Sequence, residues 1–111
     1  MLKEGTIMTY IRSIIKYNTL TSNTTLTAPS SGTSEEIYKV NSSSLVTVTL
    51  VSAASVGEGF HYQIKRIGAG AVTINTSNSE YIDHSGQTSF SIGAQYDSVT
   101  LSSDGSNWIL I

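Results

Sequence analysis

Apolar and polar residues alternate along most of this chain, most clearly at Gly59–Ile74. Phe60, Tyr62 and Ile64 are interleaved with His61, Gln63 and Lys65, the period of two that gives a strand one buried and one wet face. Gly68-Ala69-Gly70 breaks the alternation, and Val72 and Ile74 resume it around Thr73. Two such runs about a short glycine-containing break predict a β-hairpin with a loop of about three or four residues. The pattern recurs at Leu45–Val51, with Val46, Val48 and Leu50 on one side and Thr47 and Thr49 on the other. It recurs again where Val99 and Leu101 alternate with Ser98, Thr100 and Ser102. Shorter runs lie at Ile37–Val40, Tyr81–Asp83, Phe90 with Ile92, and Trp108–Ile111.

Turn residues separate these runs: Pro29 and Gly32, Ser42–Ser44, Ser52–Glu58, Asn75–Glu80, His84–Gly86 and Asp104–Asn107. Tyr17–Thr27 has only Tyr17, Leu20 and Leu26 as large apolar residues, which suits a polar edge strand. About eight short strands so spaced predict an all-β domain, a jelly-roll-like antiparallel β-sandwich with a short N-terminal arm. Its expected core is Val48, Leu50, Phe60, Ile64, Val72, Ile74, Phe90, Val99, Leu101 and Trp108. There is no exact internal repeat of the solenoid or propeller kind.

Residues 1–16 stand apart from the module at 17–111. Ile7, Tyr10, Ile11, Ile14 and Ile15 fit a helical stripe, but four of the five are Ile, whose β-branching favours extended chain. Both readings are open; an extended arm or edge strand is the one taken here. The arm holds more aliphatic surface than its polar neighbour Tyr17–Thr27 can cover, so Ile7, Tyr10, Ile11, Ile14 and Ile15 are the candidate assembly interface. Met8 offers a second translation start, and the arm lacks the apolar run and cleavage site of a signal peptide.

Composition narrows the function classes. With 111 residues there is room for one modest core. Ser, Thr, Val, Ile and Tyr suit strands and the turns between them. The absence of Cys excludes disulfides and thiolate metal sites. A net charge of −2 gives no broad attraction for nucleic acid, and no apolar run has the length to span a bilayer as a helix. Neither nucleic acid nor membrane is therefore an expected partner.

No catalytic, cofactor or metal site is expected either. Asp83-His84 is the most tempting pair, but neighbours in a strand point to opposite faces, and no nucleophile motif accompanies them. A His61/His84 metal site would need a third ligand that the spacing does not supply. Gly68-x-Gly70 precedes no helix, so it reads as a turn rather than a phosphate cradle. Lys65-Arg66 and Glu35-Glu36 read as charged edges, and Trp108 as core rather than a platform for sugars.

The order of the strands resembles a family. VNSSSLVTVTLVSAASVGEGFHYQIKRIGAGAVTI, then YID, then SVTLSSDGSNWILI, is similar to a small β module of tailed-bacteriophage virion proteins. Such modules occur in tail fibres and as stand-alone capsid decoration proteins. The matching elements are Val40–Leu50, Gly57–Phe60, Ile64–Ile74, Ile82–Asp83 and Ser103–Trp108, with His84 where the family's pattern has Gly. The resemblance spans residues 17–111 and implies a β-sandwich virion module, assembled as a homotrimer and carrying no catalytic residue. The module fills the chain beyond the arm with no fibre shaft attached. This orders the expectations: first a capsid decoration (cement) protein that binds the major capsid protein on the outer head surface. The alternative is a tail-fibre or receptor-binding module recognising host-surface glycans.

Overall fold

His61–Arg66 and Val72–Asn75 do form strands, yet they do not pair with each other. The computed structural model describes residues 14–111, so Ile7, Tyr10 and Ile11 of the expected interface lie outside the described residues. Among the described residues there are nine strands in order: β1 (Ile14–Leu20), β2 (Thr24–Thr25), β3 (Thr33–Val40), β4 (Val46–Thr49), β5 (His61–Arg66), β6 (Val72–Asn75), β7 (Ser89–Ile92), β8 (Ser98–Ser103) and β9 (Trp108–Leu110). One helical turn, α1 (Ala53–Val56), lies between β4 and β5. The expected boundary after residue 16 falls inside β1. All-β architecture is as expected; the path of the chain is not.

One sheet has the order β1-β3-β5-β8-β9 and the other β2-β4-β6-β7. From β1 to β6 the chain alternates between the sheets, so each return lays a strand beside the one two before it. These pairings are parallel: β1/β3, β3/β5, β2/β4 and β4/β6. Three turns of a coil result, with Val40 beside Arg66 in one sheet and Val46 beside Val72 in the other. Only β6/β7, β5/β8 and β8/β9 are antiparallel, and they close the coil at its far end. The antiparallel, jelly-roll-like expectation thus carries over only as two packed sheets.

The corner between β5 and β6 explains the error. Gly68-Ala69-Gly70 lies directly on Ser42–Ser44, the corner between β3 and β4, and the two are hydrogen-bonded like neighbouring strands. Ile67 N donates to Val40 O (2.8 Å), Gly70 N to Ser42 O (2.8 Å), and Val46 N to Ala71 O (2.9 Å). A Cβ on Gly68 or Gly70 would run into the Ser42 or Ser44 backbone, so glycine serves close stacking here rather than hairpin reversal.

Between the sheets lie Val40, Val46, Val48, Leu50, Tyr62, Ile64, Val72, Ile74, Ile82, Leu101 and Trp108, all fully buried. Each such side chain contributes roughly 1.5–3 kcal/mol by leaving water. Phe60 is buried as expected, whereas Phe90 and Val99 are only partly so. Trp108 is core, its ring centroid 5.3 Å from that of Tyr62.

Candidate assembly surface

Among the described residues, β1 lies at the edge of the five-stranded sheet and pairs only with β3. Its register places Lys16, Asn18 and Leu20 beside Glu36, Tyr38 and Val40, which face the core. Ile15, Tyr17 and Thr19 therefore share the outer face with Glu35, Ile37 and Lys39. The return strand β2 is only two residues long, so little lies beneath β1, and Ile14 through Thr19 are exposed on both faces. Ile14 is 42 % exposed, Ile15 46 % and Tyr17 68 %. Ile14 and Ile15 are the two members of the expected interface within the described residues, and Tyr17 and its outer-face neighbour Ile37 join them. The sequence hid Ile37's position, because Glu36 occupies a core-facing place in the alternation.

The opposite edge of this sheet is closed. Trp108 N donates to Tyr81 O (3.0 Å), and Asp83 N donates to Trp108 O (2.8 Å). The Asp83 carboxylate then accepts the Leu110 N–H at 2.8 Å. Asp83 has a left-handed φ of 66°, which Asp adopts more readily than most residues. The left-handed residue of this turn is thus Asp83, and His84 follows it without a positive φ of its own. His84 itself is exposed, with Nδ1 3.3 Å from Ser85 O. Asp83 blunts a sheet edge, and the pair forms no dyad.

His61 is half-buried on the outer face, remote in the strand order from the 83–84 turn. Among the described residues no group of three or more His, Asp and Glu is placed to hold a metal ion. Lys65 Nζ donates to Tyr96 O (2.7 Å). Arg66 corrects the charged-edge reading, because its guanidinium is buried and donates to the carbonyls of Gly68 (3.3 Å), Ile92 (3.1 Å) and Ala69 (2.6 Å). It ties the β5–β6 corner to β7. The Glu80 carboxylate accepts the Ala53 N–H (3.0 Å) and the Ser52 hydroxyl (2.9 Å), holding α1 on the sandwich.

Behind β1 lies a buried polar-aromatic cluster. The Tyr38 hydroxyl donates to Glu36 Oε1 at 2.7 Å, and the Tyr38 and Tyr62 ring centroids are 6.0 Å apart. Burial, followed by the Glu36 carboxylate, pushes both tyrosine hydroxyls well above the usual tyrosine range. Their folded pKa is raised, so their contribution to stability is complete below the unfolded pKa of about 10 and is lost as pH rises above it. Urea unfolding between pH 8 and 11 should show stability falling at the alkaline end. Tyr62→Phe should flatten that fall, and an unchanged slope in the variant would remove Tyr62 as its source.

The described surface carries shallow polar troughs. One of about 370 Å³ is lined by Asn23, Thr24, Thr25, Thr47 and Thr49, all uncharged. No protein-family model matches the chain, and no curated protein matches it.

Proposed function

We propose that this chain is a structural protein of a tailed-bacteriophage virion, a decoration protein that binds the outer head surface as a homotrimer. The observation that carries the reading is the exposure of Ile14, Ile15 and Tyr17 together on one edge strand of an otherwise well-packed sandwich. A surface of this kind suits permanent contact with other protein better than transient handling of a substrate. The resemblance of the strand order to phage virion modules supplies the setting, with the major capsid protein as partner and the capsid surface as location. Ile7, Tyr10, Ile11, Ile14 and Ile15 are the residues assigned to assembly.

Mixing the purified protein with undecorated capsids should give saturable, symmetric occupancy that falls when residues 1–13 are removed. Absence of binding at every salt concentration would sink the reading. A second reading, a receptor-binding module for host glycans, is favoured by the neutral Thr- and Asn-lined trough on the four-stranded sheet. Trp108 offers that reading no support, since its ring is enclosed. Selective signal on a glycan array, with no capsid binding, would favour it.

A further inference from the structure

We infer that the open edge of β1 pairs antiparallel with β1 of a second copy, about a two-fold axis at Tyr17. In an extended strand the N–H and C=O of one residue point to the same side, and alternate residues to opposite sides. The Leu20 carbonyl accepts from Asn41 N (2.8 Å), so it points along the β3 side. Lys16 and Asn18 belong to the same alternate set as Leu20. Ile15, Tyr17 and Thr19 therefore direct their backbone groups to the open edge.

This outward set is symmetric about Tyr17. A second β1 laid antiparallel brings Tyr17 opposite Tyr17 and Ile15 opposite Thr19, and each pair exchanges both backbone hydrogen bonds. On the outer face the rings of the two Tyr17 residues meet, each flanked by Ile37 of its own copy, so four apolar side chains run across the axis. Charge agrees with the same arrangement. Glu35 shares a row with Ile15, and Lys39 shares one with Thr19. The two-fold places Glu35 of one copy in line with Lys39 of the other and sets no like charges directly opposite.

The other sheet edges explain why β1 is the partner. β9 is already occupied by Tyr81–Asp83 and the Asp83 carboxylate, β2 has two residues, and β7 has four. β1 has seven, no proline, and one charge, Lys16, which lies on the inner side. Native strands of this length are normally blunted or covered. Self-pairing covers this one, and an isologous contact closes without generating a fibre. The inference does not rest on the virion reading, and it specifies a two-fold contact separate from the trimer proposed there.

Sedimentation of the full chain over a concentration series, with amide hydrogen exchange, tests it. The expected result is an even-numbered species in which the amides of Ile15, Tyr17 and Thr19 are protected. Tyr17→Lys, which sets two cations on the axis, should raise the dissociation constant at least tenfold and expose those amides while the module stays folded, with a cooperative melt that no longer depends on protein concentration. Thr19→Pro removes an outward N–H and should act alike, because β3 does not use it. A monomer at all concentrations overturns the inference, as does an even-numbered species indifferent to both variants. A trimer whose three amides exchange freely also overturns it, while leaving the virion reading standing; protected amides with no capsid binding do the reverse.

Discussion

Trp108→Ala is expected to lower the unfolding free energy by about 3–5 kcal/mol, the range for deleting a large aromatic from a packed core. Trp108 has no exposed surface and lies against Tyr62, which in turn makes an edge contact with Phe60 at 5.0 Å between centroids. Truncation would leave a cavity between these rings, where Leu101, Tyr62 and Ile82 are fully buried and have little room to collapse. The backbone of Trp108 also joins β9 to Tyr81 and Asp83, so loosening its side chain should loosen the closed edge with it. Against a total stability of roughly 5–15 kcal/mol, the loss would be severe. Trp108→Phe should be much milder. The indole Nε1 is buried without a hydrogen-bond partner among the described residues, so phenylalanine forfeits volume but no bond. Urea unfolding of the two variants decides the matter: an alanine cost under about 1 kcal/mol would mean that the ring is not a core element.

The facing of the strands was legible because it depends on local alternation alone. Val46, Val48 and Leu50, then Phe60, Tyr62 and Ile64, then Val72 and Ile74 all turn inward as their spacing requires. Pairing was not legible, since a period of two is the same whether the neighbour runs parallel or antiparallel. The break at 68–70 has the same residues in a hairpin turn as in a stacked coil corner. Only the proximity of Ser42 and Ser44, distant in sequence, separates the two. Equal strand offsets in the two sheets are a repeat of geometry, and the residues at equivalent places (Val40 and Arg66, for example) need not match.

Two charged residues were misplaced for a related reason. Glu36 and Arg66 occupy core-facing positions, where charge is normally excluded unless it is hydrogen-bonded. Arg66 meets that condition through three carbonyls, and Glu36 accepts the Tyr38 hydroxyl. No local pattern announces such partners. The exposed strand was half legible: excess aliphatics marked Ile14 and Ile15, but the exposure of the inner face of β1 depends on β2 being too short to underlie it.

Gly70→Ala is the substitution that separates the coil from a hairpin. In a hairpin this residue would lie in an exposed turn, and a methyl group there would be tolerated within about 0.5 kcal/mol. In the coil the new Cβ would drive into the Ser44 carbonyl, and Gly68→Ala would do the same against Ser42. The obstacle is backbone, which cannot rotate aside as a side chain would. Relief requires lifting one corner from the other, at the expense of Gly70 N to Ser42 O and Val46 N to Ala71 O. Overpacking of this kind costs typically about 1–3 kcal/mol, and the rigidity of the neighbour puts Gly70→Ala at the upper end, near 3. The double variant should cost less than the sum, because lifting the corner once relieves both clashes. Gly93→Ala is the control: open space surrounds its Cβ position and its φ is ordinary, so its stability should stay within about 0.5 kcal/mol of the parent. Thermal melts of the four variants against the parent would decide between the folds. Faster amide exchange at Gly70 and Val46 in Gly68→Ala would locate the opening at the stacked corners, whereas a Gly70→Ala protein as stable as Gly93→Ala would mean that the corners do not stack.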